Sequence, residues 1–344
     1  MKKLLFYVGV AALITTEADA AVWRVNNITG VDADFTTLTA AVTAASAGDT
    51  IYLEPSTANY GGATIDKKLT VIGNGYFNTT GFYTAHAGLQ ANATSSSTHG
   101  IIFNQGSEFS TFMGCYISGD IYINASNINI KRNYVTGLVY FRNQQSGSYV
   151  NRSNIDIRQN VLIGGFSTSQ FSTNSGTVGI TNVNIQNNII SQNFYAQFTL
   201  PAGISGFIMN NTLYQPYTYL DVYNFQINNN IMLGGAFNPN NNVYFNNIAT
   251  GSQFGNANNN LQNITTTALF TNYGTGASDS SFVLNPSGPG IGAGFNGVDV
   301  GPYGGPDPYR RSGIPPVPTI YELTAPATTT TSTLPVTIST RSND

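Results

Sequence analysis

The sequence predicts an all-β fold, a parallel β-solenoid that one chain winds through about ten coils. Three observations carry this expectation. The first is a repeated block, clearest as Asn154-Ile155-Asp156-Ile157-Arg158-Gln159-Asn160-Val161-Leu162. It recurs at residues 127–135 and 182–190, and more weakly at 207–213 and 225–231. The second is alternation within the block. Ile155 and Ile157 fall on one side and Asp156 and Arg158 on the other, as in a strand with one buried face. The third is the asparagine closing each strand. Asparagine tolerates the left-handed conformation of a tight bend, and coils about 4.8 Å apart let such amides hydrogen-bond along the stack.

The expected ladder comprises Asn74, Cys115, Asn133, Asn160, Asn188, Asn211, Asn230 and Asn247, with Cys115 in an asparagine slot. Successive spacings are 41, 18, 27, 28, 23, 19 and 17 residues. A bare coil therefore takes 17 to 19 residues, and the excess leaves as loops. Self-similarity at a drifting period of this size, without helical periodicity, points to a β-helix.

Two further segments carry a family likeness. One is Ala45-Ser46-Ala47-Gly48-Asp49-Thr50-Ile51-Tyr52-Leu53-Glu54-Pro55 leading to Lys68-Leu69-Thr70-Val71-Ile72-Gly73. The other joins Phe282-Val283-Leu284 to Gly288–Gly294 and Asp299–Gly304. With the repeats, they resemble the right-handed parallel β-helix proteins of the pectin-lyase-like superfamily, in the form common among secreted Bacteroidetes proteins. The resemblance covers roughly residues 21 to 312. It implies right-handed winding, with the first segment in the N-terminal coils and the second in a closing coil. It implies little about activity, because such folds host many.

Taken in order, residues 1–20 read as a secretory signal. Lys2 and Lys3 precede an apolar run from Leu4 to Ile14 and the small-residue site Ala18-Asp19-Ala20. The run is too short to span a bilayer. No transmembrane segment is expected, and the protein should be exported to the periplasm, cell surface or medium. Val22–Val25 reads as the first strand. Phe35, Leu38, Val42 and Ala45 then recur at helical spacing behind Asp34 as N-cap. This short helix would cap the open N-terminal end of the solenoid, whose edges and core would otherwise be exposed. Residues 76–99 form the largest excursion and hold both histidines, His86 and His99. The β-helix is expected over 21–312. Beyond it, 313–344 is a Pro/Thr-rich tail of two short strands around a spacer.

Composition narrows the function. Charged residues make up 8%, net charge is −3 and apolar residues are 41%. Nucleic-acid partners ask for a basic stripe that is missing here. The single cysteine cannot form an internal disulfide and reads as an inert buried thiol.

Enzymes of the resembled superfamily mostly cut acidic polysaccharides, either as lyases with an Arg or Lys base beside calcium-holding carboxylates, or as hydrolases with several Asp on adjacent coils. Hydrolysis needs paired carboxylates, and between residues 159 and 278 only Asp221 is charged. A lyase-like group exists in Lys131, Asp156 and Arg158, with Arg132 beside them. A neighbouring arginine would lower the lysine's pKa toward use as a base. Calcium wants six to eight oxygens and this group offers one carboxylate, so a surface ion pair is the alternative reading. The second candidate site is the tyrosine-rich stretch Tyr214, Tyr217, Tyr219, Asp221 and Tyr223. Its rings and nearby amides suit a neutral glycan, although aromatic rings in solenoids also stack inside the core.

The function expected from the sequence is a secreted or cell-surface, non-catalytic protein that binds or displays carbohydrate. It needs no cofactor and no metal, and its partner would be a polysaccharide or cell-surface glycan. The alternative is a polysaccharide lyase acting on pectate, alginate or a glycosaminoglycan, with calcium required only in that case. A purely architectural rod is the third reading.

Overall fold

The computed structural model describes residues 20–76, 89–145, 148–168, 179–191, 198–200, 202–214, 219–274, 279–328 and 332–343. The candidates Tyr217 and His86, and nearly all of the leader at 1–20, lie outside them. Among the described residues, consecutive strands pair in parallel into a ten-stranded sheet, an eight-stranded sheet, and a five-stranded sheet followed by a three-stranded one. The chain visits these sheets in rotation. Ile128–Lys131 lies in the first, Tyr134–Val135 in the second and Val139–Phe141 in the third, and Arg152–Arg158 then returns beside Ile128–Lys131. Each turn of the coil therefore has three sides, consistent with a β-helix. Ten strands at the usual spacing give a body on the order of 45 Å long.

The core follows from register. Ile128, Ile155 and Val183 are direct partners, as are Ile130, Ile157, Ile185, Ile208 and Ile227, and all are fully buried. Phe141 stacks on Phe166 at 5.8 Å on another side.

The bend after the ten-stranded sheet holds an unbroken amide relay. The backbone N–H groups of Cys115, Asn133, Asn160, Asn188, Asn211, Asn230 and Asn247 each donate to the side-chain Oδ1 of the next asparagine, ending at Asn260, over 2.8 to 3.1 Å. Each Nδ2 also donates to main-chain carbonyls, as Asn160 does to Ile130 and Arg158 at 2.9 Å. Two details differ from the sequence expectation. The left-handed residue is not the ladder asparagine but the one before it: Arg132, Gln159, Asn187, Asn210, Asn229 and Asn246, with φ of 53° to 59°. The ladder position is selected for a side chain that donates and accepts at once. Asn74 stands apart from the column. Its N–H bonds to Ser96 Oγ at 2.8 Å and its amide to Asn92 and Thr94, because the chain returns there from its long excursion.

Strand β1 (Val22–Val25) pairs in parallel with the strand Thr50–Leu53. Helix α1 is shorter than expected, Leu38–Ala44, and Thr37 caps it by accepting from Ala40 N. Asp34 is used elsewhere, accepting from Arg24 N at 2.7 Å, and Phe35 bridges to β1.

The C-terminal part does not end as a further coil. After the coil at Val243–Ala249 one partial turn adds Asn260 to the relay and bridges Leu261 to Ile248 in parallel, and the chain then covers the outer face of the eight-stranded sheet. Tyr134, Val161, Ile189, Ile231 and Ile248 on that face share an apolar cluster with Leu269, Phe270, Phe282, Leu284, Val300 and Tyr309. Residues 293–314 then run back along the coils from Asn246 to Arg132 as a strap, held by the left-handed column. Asn246 donates to Ala293 O, Asn210 to Asp299 O, Asn187 to Gly304 O, Gln159 to Pro308 O and Arg132 to Ile314 O, at 2.6 to 3.1 Å. The tail strands Thr319–Thr324 and Thr337–Arg341 form an antiparallel pair, tied to the excursion by Ala91 N to Ile320 O. Among the described residues no helix is long and apolar enough to cross a membrane.

Two outcomes follow. Asn160→Leu leaves buried donors and acceptors unpaired in two neighbouring coils and should lower unfolding free energy by roughly 1 to 3 kcal/mol in a denaturant titration. Cys115 is fully buried and its thiol is pushed up by burial, so iodoacetamide should label it only once the protein unfolds, as read by mass spectrometry.

Candidate functional site

The charged group predicted from sequence is assembled by register. Lys131 pairs with Arg158 and Asn129 with Asp156, so the four side chains form two outward columns on the ten-stranded sheet. Arg158 donates to Asp156 two residues back. A further carboxylate, Asp307 of the strap, lies 3.2 Å from both Lys131 Nζ and Arg158 Nη1. Gln159 also donates to Asp307 Oδ1, at 2.7 Å. Two cations thus face two carboxylates. Burial lowers Lys131, reinforced by Arg132 and opposed by Asp307. Burial by itself would raise Asp307, but Lys131 and Arg158 outweigh it and hold the carboxyl below its usual range. Burial raises Asp156 against the pull of Arg158.

This arrangement ties the strap to the coils. The donor set does not suit calcium: two carboxylates converge, and both are engaged by guanidinium or ammonium groups. Among the described residues no three His, Cys, Asp or Glu side chains gather as a metal site.

The tyrosine-rich candidates are divided between faces. Tyr214 lies on the covered side, its ring 4.9 Å from Phe282, and burial raises its pKa. Tyr219 and Asp221 point outward from the strand Tyr219–Val222 of the three-stranded sheet, while Leu220 and Val222 point into the core. Asp221 accepts from Asn240 Nδ2 at 2.6 Å. Tyr223 follows, half-buried.

A stronger aromatic feature was not picked out by sequence reasoning. Tyr122 and Tyr140 are register partners at the outward centres of Ile121–Ile123 and Val139–Phe141. Their rings stack at 4.6 Å with planes 13° apart. The Arg142 guanidinium lies 3.9 Å from the Tyr122 ring centre and forms no ion pair with any described residue. Its Nε is buried without a hydrogen-bond partner. The Tyr122 hydroxyl donates to Asp120 Oδ2 at 3.1 Å. The rings thus sit on the outward side of the five-stranded sheet, flanked by a guanidinium with no ion-pair partner among the described residues and by a carboxylate. The signal in the sequence was an aromatic centred in an apolar triplet, repeated after 18 residues, which is the length of one bare coil.

No family model, curated protein or solved structure matches this chain.

The charged cluster makes a pH-dependent claim. Asp307 is depressed on folding, so its contribution is present above the unfolded carboxylate pKa of about 4 and is lost as pH falls through its lower folded value. Asp307→Asn should therefore lower the melting temperature at pH 7 by about 1 to 3 °C, a modest amount for a partly exposed group. The gap from wild type should narrow below pH 4, as read by thermal scans across pH.

Proposed function

We propose that the protein is an exported or cell-surface, non-catalytic right-handed parallel β-helix that binds or displays carbohydrate. The observation that carries this reading is the Tyr122–Tyr140 stack with Arg142 laid over it. Sugar rings have apolar C–H faces that rest on aromatic rings, and hydroxyls around their edges that seek charged or amide partners. Tyr219 and Asp221 extend the same kind of surface toward the later coils. A rigid solenoid holds such groups in rows without ordering cost on binding. The likeness to the pectin-lyase-like superfamily agrees with a glycan partner, and the leader-like residues 1–20 agree with export. The sparse charge speaks against nucleic acid.

One observation favours the runner-up, a lyase on an acidic polysaccharide. Lys131 is lowered by burial beside Arg132, as a catalytic base would require. Against it, the Lys131 ammonium is already bonded to Asp307, and the carboxylates nearby suit arginine better than calcium.

A panel of soluble polysaccharides scored for retention and cleavage separates these readings. Wild-type protein should retain at least one polysaccharide, and Tyr140→Ala should weaken that retention about tenfold, the worth of one aromatic contact. Ultraviolet absorbance should stay flat with pectate, alginate and glycosaminoglycans in calcium. A rise from unsaturated product that Lys131→Ala abolishes would transfer the assignment to the lyase.

A further inference from the structure

The outer face of the ten-stranded sheet carries a second asparagine column, exposed and distinct from the buried relay. Asn127 just before the strand Ile128–Lys131, and Asn154 and Asn182 within the strands Arg152–Arg158 and Ile180–Gln186, are left-handed residues with φ of 55° to 59°. They link side chain to side chain, Asn154 to Asn127 at 2.8 Å and Asn182 to Asn154 at 2.7 Å. The column resumes at Asn224 and Asn241, bonded at 2.8 Å. One coil between them has no asparagine. The strand Ile204–Met209 is one residue shorter here, for Ile180 pairs with Ile204 but Val183 already pairs with Gly206. Gly206 is required at this point, because a side chain there would collide with the Val183 carbonyl oxygen.

The missing rung leaves an open groove of about 540 Å³, walled by Asn182 on one side and Asn224 and Asn241 on the other. Beside Gly206 the outward residue is Phe207, 38% exposed. The residues in register with it, Asn184 before and Gln226 after, are polar. The lining contains no ionisable side chain. It does contain spare acceptors. Asn182 spends its Nδ2 on Asn154 and Gln226 its Nε2 on Asn228, which leaves Asn182 Oδ1 and Gln226 Oε1 without partners among the described residues. An exposed ring beside uncharged acceptors fits a ligand with an apolar face, hydroxyl donors and no charge.

We propose that this gap is a second saccharide site, specific for a neutral glycan whose ring rests on Phe207 and whose hydroxyls donate to Asn182 and Gln226. It rests on the reading of the protein as a carbohydrate binder. It differs from the tyrosine site in chemistry, since no counterpart of Arg142 is present, and in position, since it lies on another side of the coil. One molecule would therefore hold two glycan segments at once. Bivalent retention of this kind exceeds what either site gives alone.

The test uses the full chain and a panel of neutral soluble polysaccharides (dextran, xyloglucan, galactomannan and mixed-linkage glucan) in affinity electrophoresis, with calorimetry on matching hexasaccharides. Phe207→Ala should weaken neutral-glycan affinity about tenfold. Phe207→Tyr should keep it, and Gln226→Ala should weaken it about threefold by loss of one hydrogen bond. Tyr140→Ala should leave this component in place. Unchanged melting temperatures would show that the variants report binding. If Phe207→Ala and Gln226→Ala bind like wild type while Tyr140→Ala loses all retention, the second site is refuted and the tyrosine reading stands. If wild-type protein retains no polysaccharide of any charge, both fall.

Discussion

The structure depends on one constraint: in each coil from Asn133 to Asn247 a buried carboxamide has to be satisfied by the coil above and the coil below. Seven successive backbone N–H groups donate to the amide oxygen of the next rung, and each amide nitrogen is consumed by main-chain carbonyls. Buried polar groups of this kind are costly when unpaired and worth little more than neutral when paired. Their main effect is therefore on register. Sliding one coil by a residue would break two rungs and also turn the isoleucine columns outward. The amide column and the apolar columns fix the same alignment, and that agreement lets loops of different lengths interrupt the coils without disturbing their stacking.

The three sides of the coil have different fates. The eight-stranded side is covered by residues 264–274 and 279–314, which is why these two-residue strands are buried on both faces: Val161–Leu162, Ile189–Ile190 and Ile231–Met232. The other two sides keep outward rows facing solvent. On one of them the strap's Asp307 neutralises the paired cations Lys131 and Arg158. Aromatic rings, amides and Arg142 remain among the groups that these sides offer a partner.

Much of the architecture was legible because it is written in local periodicity. The alternation at 154–158, the recurring asparagines and the helical spacing from Leu38 each encode a short-range fact. The paired apolar residues such as Ile189–Ile190 also announced a doubly buried sheet, though the alternation of the preceding strand drew attention away from them. What lay hidden was long-range. Asp307 is 149 residues from Arg158 and 176 from Lys131, and nothing in its Pro-flanked surroundings marks it as their counterion. The tyrosine pair was missed for a different reason. Tyr122 and Tyr140 meet only when the coil length is used as a ruler, whereas the cluster at 214–223 looked dense in sequence and its described members Tyr214 and Tyr219 lie on different sides.

A stack of coils linked only to their neighbours unravels from its ends, each terminal rung opening at little cost to the interior. The returning strap changes that behaviour. Because it grips Asn246, Asn210, Asn187, Gln159 and Arg132 in turn, peeling away any of these coils also loosens the cord that binds the rest of them. Over that span the one-dimensional array is tied into one cooperative body, and a single coil cannot leave without freeing the cord across its neighbours.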